Sequence, residues 1–176
     1  MSGLFNTSHN LSLYGIPAAW LIAHIPHVYA ATATKSYDNR FPRDFPKSLE
    51  ANQSIDQAVS PPYLPLDTWI KKLTPTQKKN RIRRAHAAAA NGHENLGLFA
   101  SAVVAGNVAG ISPSTLNALT GGYLISRVVY TFIYINNETQ GAATTRSLAF
   151  IVGIGHIFTL FIKSGNLLKD KAASFL

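Results

Sequence analysis

The chain is expected to fold as an all-α, four-helix transmembrane bundle, and three observations predict this. Its 176 residues are 47% apolar and only 14% charged, where a soluble domain carries about 25% charge. The charges are also segregated: Met1–Thr34 contains no Asp, Glu, Lys or Arg, while residues 35–84 carry 11 of the 16 Lys and Arg. Finally, four segments approach the roughly 20 mostly apolar residues that cross a bilayer core of about 30 Å. The length suits a single membrane domain over residues 1–176. A basic nucleic-acid binder would spread Lys and Arg over a folded surface, so no nucleic-acid partner is expected. The absence of cysteine excludes disulfides, thiolate zinc sites and cysteine nucleophiles.

The first span is about 11–33, "LSLYGIPAAWLIAHIPHVYAATA", interrupted by Pro17 and Pro26. Neighbouring helices can satisfy the carbonyls that such prolines free. No basic n-region or small-residue cleavage pattern precedes it, so it reads as a retained span rather than a signal peptide. Residues 35–84 hold six of the nine prolines and read as a basic, Pro-rich loop. Inside it, "DTWIKKL" suits a short interfacial helix capped by Asp67, with Trp69 at headgroup level. "TPTQ" then carries helix-start signals: Thr74 as N-cap, Pro75 at N1 and Gln77 closing a capping box. The second helix is expected to start there, run outside the bilayer as "KKNRIRR", and cross at about 85–108. The third span is about 115–135 and the fourth, a short one, about 147–162. By the positive-inside rule the 35–84 loop faces the cytosol, and both termini face the lumen. Lys163, Lys169 and Lys171 oppose that orientation but are outnumbered.

The second span opens with "RAHAAAANGHENLGLF", Arg84–Phe99. At 100° per residue from Arg84, Asn91 falls near about −20°, Asn95 near about 20° and Glu94 near about −80°, so these four share a face. His86 and His93 fall on the opposite face. Ionisable groups inside a span are candidate functional sites by default. Glu94 lies about 15 Å deeper than Arg84, and Arg127, on the returning third helix, reaches a similar depth. A Glu94–Arg127 pair is therefore expected, either structural or catalytic. Tyr123, Arg127, Tyr130 and Tyr134 follow 4, 3 and 4 apart on one helical face. With Arg146 at the start of the fourth helix, they outline a polar pocket open to the cytosol. Arg146 also suits a snorkelling anchor. Arginines and tyrosines together suit an anionic ligand with several carboxylates. His24, His27, His86, His93 and His156 are expected to be hydrogen-bonded packing residues, and no metal site is expected.

These residues resemble the MAPEG family, the membrane-associated proteins of eicosanoid and glutathione metabolism. The second helix carries the resemblance: Arg84-Ala85, Asn91, Glu94-Asn95 and Leu98-Phe99. "DNRFPR" at Asp38–Arg43 is similar to the family's Asn-Pro-Arg motif, with Phe41 in the asparagine's place. "SRVVYTFIY" with Arg127, Tyr130 and Tyr134, and "RS" at Arg146-Ser147, are similar to the third-helix and fourth-helix patterns. The resemblance implies a homotrimer of four-helix subunits in the endoplasmic reticulum. It implies glutathione as co-substrate, held between subunits near the cytosolic face by Arg84, Asn91, Glu94, Tyr130, Tyr134 and Arg146, with Arg127 holding Glu94 or the ligand. Arg146 and Tyr134 become the candidate catalytic residues. The implied activity is a glutathione transferase or peroxidase acting on a lipophilic substrate from the bilayer. Two departures stand out: Ala87 replaces a second arginine common in the family, and the 35–84 loop is long. They leave open a glutathione-independent isomerase or cyclase, or a non-catalytic membrane adaptor, on the same scaffold.

Overall fold

The computed structural model describes residues 9–33, 37–38, 40–41, 75–137 and 139–173. After one 3-10 turn at Ser12–Tyr14, the chain forms α1 (Gly15–Thr32), α2 (Pro75–Ala109), α3 (Pro113–Asn136) and α4 (Gln140–Ala173). No strand occurs among the described residues. The four expected spans are thus the four helices. α2 is described from Pro75, the position expected to be N1; Thr74 and the expected "DTWIKKL" helix lie outside the described residues. Of the 35–84 loop, only the α2 extension and a few residues after α1 are described. There Asp38 closes a tight turn, accepting from the Arg40 backbone N–H at 2.9 Å and from the Arg40 Nη2 at 2.9 Å.

α4 corrects the expectation of a short fourth span. It is 34 residues long, because "AATTR" before the apolar run and "NLLKDKAA" after it contain no proline to stop a helix. Its far end has a structural use. Lys171 Nζ donates to the Ala109 carbonyl at 2.9 Å, placing a cation at the C-terminal end of α2, where the helix dipole favours it. Gly110 closes that end at φ +82°, a conformation that only glycine adopts without strain. The Ile111 N–H then returns to the Gly106 carbonyl at 3.0 Å.

α2 packs against all three other helices, α3 packs along α4, and α1 lies against α2 and α3. The main core sits away from the basic segment: Phe99 stacks on Tyr123 with ring centroids 4.0 Å apart, among Val103, Leu116, Ile157 and Leu160. The α1–α2 seam uses small residues instead. Ala19, Ala23 and Ala30 are buried there, and a Cβ on Gly92 would lie 2.7 Å from the Ala23 Cβ. Such close backbone approach is how helices associate where no hydrophobic drive separates helix from lipid. Outward, the bundle presents Ile25, Val108, Ile125, Phe132, Ile151 and Ile162, an apolar surface that suits a bilayer and not water. Pro113–Asn136 and Ala143–Lys171 are long and apolar enough to span on composition alone. α1 and α2 carry the histidines, prolines and polar stripe that dilute their hydropathy.

Candidate functional site

The site begins with one arginine. Arg127 sits on the inward face of α3 and is 5% exposed. Its guanidinium lies over three aromatic rings: Phe150 at 4.9 Å, Tyr123 at 5.0 Å and Tyr130 at 5.5 Å. Tyr123 and Tyr130 are there because spacings of 4 and 3 stack side chains on one helical face. Gly153 of α4 makes the space, since a Cβ there would come 2.7 Å from Ser126 Oγ and 3.3 Å from Arg127 Nη2. Arg127 Nη1 donates to Asn91 Oδ1 at 3.3 Å. Its Nε and Nη2 are buried without a hydrogen-bond partner. A buried cation with unused donors is costly, and these two nitrogens are a standing demand for an acceptor.

The expected Glu94–Arg127 pair is not formed. Glu94 is exposed on α2, and the Arg127 guanidinium meets Asn91 and three aromatic rings instead. The depth was matched, but the azimuth was not. Asn91 faces α3, and Glu94, three residues on, is turned about 60° past the seam.

From Arg127 the aromatic face climbs towards the end of α3. Tyr130 meets Tyr134 edge-on at 5.5 Å and Phe150 at 6.0 Å. Arg146, half-buried at the start of α4, places its guanidinium 4.5 Å over the Tyr134 ring. The result is a ladder of arginine and tyrosine from the helix interior to the α3–α4 end of the bundle. Arg84 closes the same end by donating Nε to the Ile135 carbonyl at 3.0 Å. Asn95 lies on the α2 stripe, but its Nδ2 donates to the Asn91 carbonyl at 2.8 Å within the helix. Phe150 was not foreseen. It lies four residues after Arg146, so it shares that residue's face.

The second polar stripe of α2 also finds a use. His86 and His93 meet His24 and His27 of α1 across the seam. His27 lies 5.5 Å from His24 and 6.1 Å from His86, and His24 lies 6.0 Å from His93, by ring centroids. Trp20 stacks on His24 at 4.6 Å. His93 Nδ1 lies 2.8 Å from the Ala89 carbonyl and His156 Nδ1 lies 2.7 Å from the Val152 carbonyl. Only an N–H can face a carbonyl, so both rings are hydrogen-bonded packing groups, as expected. Among the described residues no group of three or more His, Cys, Asp or Glu is placed to hold a metal ion.

A four-helix chain with this α2 stripe and this α3 ladder can be set against known families. The model of the MAPEG family matches residues 10–166. The chain belongs to the MAPEG family. The match covers all of α1, α2 and α3 and most of α4, so the ladder lies inside it. The chain is therefore a membrane protein of the family named for eicosanoid and glutathione metabolism. Neither a curated protein nor a solved structure matches it.

Proposed function

We propose that this MAPEG protein is a membrane enzyme of the glutathione transferase or peroxidase type, acting on a lipophilic substrate. The observation that supports it best is Arg127: a buried guanidinium with two unused donors, at the foot of a ladder that ends at Arg146. Glutathione carries two carboxylates, an amine and a thiol. Its carboxylates suit the arginines, Glu94 stands exposed for the amine, and the tyrosine hydroxyls supply neutral donors. In this reading glutathione enters from the cytosol and the apolar substrate from the bilayer. The protein is a homotrimer of the endoplasmic reticulum, with the site at subunit boundaries.

The chemistry asked of the protein is modest. A free thiol has a pKa near about 8.5, and a cation or hydroxyl donor beside the sulfur favours the thiolate. Arg146 and Tyr134 are the groups for that role. In conjugation the thiolate sulfur bonds to an electrophilic carbon, and the displaced electron pair leaves with the departing group or takes a proton. In peroxide reduction the sulfur attacks one oxygen of the O–O bond and becomes a sulfenic acid, while the other oxygen leaves as alkoxide and takes a proton to become the alcohol. A second glutathione thiol then attacks the sulfenic sulfur, giving the disulfide and water. The test is the ultraviolet absorbance of the thiolate when glutathione is added to purified protein. The wild type should raise it, and Arg146→Gln and Tyr134→Phe should not.

Ala87 favours a second reading, in which the scaffold works without glutathione as an isomerase or cyclase for a lipophilic metabolite. A protein that binds no glutathione but converts a membrane metabolite would support it. One that does neither would be an adaptor.

A further inference from the structure

A second buried guanidinium lies outside that ladder. Arg81 is on the part of α2 that precedes the apolar stretch, and it is 7% exposed. It lies 5.7 Å over the ring of Tyr29, near the end of α1. Its Nε is buried without a hydrogen-bond partner, and an aromatic face does not replace an acceptor oxygen. Arg84, three residues deeper, bonds the last turn of α3, so this level is the edge of the bundle. Below it, Ile82 and Ala85 are packed with Ala30. Above it, Lys78 is exposed one turn before Arg81 and about 60° round the helix.

Along the chain the start of α2 is strongly basic, and Asp38, the carboxylate described after α1, is already taken by Arg40. Lys78, Lys79, Arg81, Arg83 and Arg84 fall within seven residues, and no Asp or Glu occurs from Thr68 to His93. Three features therefore coincide at the rim of a membrane bundle: a dense cationic stretch, a tyrosine floor, and an arginine lacking an acceptor. An anion at this height meets the bilayer's own phosphates first. Juxtamembrane basic clusters attract anionic lipid, and a planar guanidinium suits phosphate oxygens.

We infer that Arg81, with Lys78 above it and Tyr29 beneath, is a binding site for a phosphate-bearing anionic lipid headgroup. The occupant is a membrane phospholipid with net negative charge, such as phosphatidylserine or phosphatidylinositol. It is independent of the glutathione reading, because no ladder residue takes part. The lipid would fasten the start of α2 to the end of α1 where the long 35–84 segment joins them.

The test uses the full chain in nanodiscs of phosphatidylcholine alone or mixed with phosphatidylserine, and native mass spectrometry to count retained lipids. Wild type should retain phosphatidylserine over phosphatidylcholine. Arg81→Gln should weaken that preference about tenfold or more, the scale of one charge-assisted contact. Lys78→Gln should weaken it less, and Lys163→Gln, at the other end of the bundle, not at all. If Arg81→Gln does not fold, Arg81→Lys decides instead: keeping the charge but not the fork, it should reduce the preference without abolishing it. Equal retention of the two lipids, or a preference untouched by Arg81→Lys and Lys78→Gln, overturns the proposal. Displacement of the lipid by millimolar inorganic phosphate would assign the site to a soluble anion and overturn it too.

Discussion

Arg127 shows how a single residue decides the electrostatics of this bundle. It takes an amide oxygen and three aromatic faces in place of a carboxylate. A double-mutant cycle distinguishes the two arrangements. Asn91→Ala with Arg127→Lys should show a coupling of about 0.5–3 kcal/mol, as contacting residues do. Glu94→Gln with Arg127→Lys should be additive within about 0.5 kcal/mol. Thermal unfolding in detergent reads both, and strong coupling to Glu94 would restore the ion pair. Ala87 is the other informative position. It lies about 40° from Asn91 round α2, and it holds alanine where the resemblance leads one to expect a second arginine. One charge-assisted contact of about 1.5–3 kcal/mol is worth about 10–150-fold in affinity. Ala87→Arg should therefore tighten glutathione binding by about that factor, measured by titration calorimetry. An unchanged or weaker affinity would mean that the ligand does not approach this face.

At the scale of elements, the α1–α2 seam is a tightly specified contact. With a Gly92 Cβ only 2.7 Å from the Ala23 Cβ, any larger side chain must push the helices apart. Gly92→Val should cost about 1–3 kcal/mol by overpacking. Gly165→Ala in α4, where a Cβ meets nothing within 4 Å, should be neutral or stabilising, because alanine favours a helix over glycine. Unfolding midpoints of the two variants would show the contrast, and equal effects would mean that the seam is looser than described. The elements themselves were legible in the sequence. Apolar length predicted four helices in order, and the residue expected to open α2, Pro75, is its first described residue. The ends of α4 were not legible, because its flanks are polar yet helix-compatible and only Lys171 meeting Ala109 reveals their use. Within the site, spacing showed that Tyr123, Arg127, Tyr130 and Tyr134 share a face. A helical wheel could not show which stripe of α2 meets which helix. That is why the Asn91 contact and the meeting of four histidines appear only once α1 and α3 are in place.

For the molecule as a whole, an Asn10–Asn107 and Asn117 hydrogen-bond cluster closes one end of the bundle, and the arginine–tyrosine ladder opens at the other. The ladder's end carries the basic start of α2, and residues 35–84 hold 11 of the 16 Lys and Arg. In sealed microsomes a protease added from outside should cut within 35–84. Full protection until detergent is added would reverse the orientation and put the site on the lumenal side. Family membership carries the membrane setting and the family's metabolic field, and the ladder from Arg127 to Arg146 carries the proposal of an anionic thiol ligand. The measurement closest to that proposal is a calorimetric titration of glutathione into the detergent-purified protein, wild type against Arg127→Lys and Arg146→Gln. Weak but saturable binding by the wild type, reduced in both variants, is the predicted result. No binding by the wild type at millimolar glutathione, or binding that neither substitution alters, would contradict it.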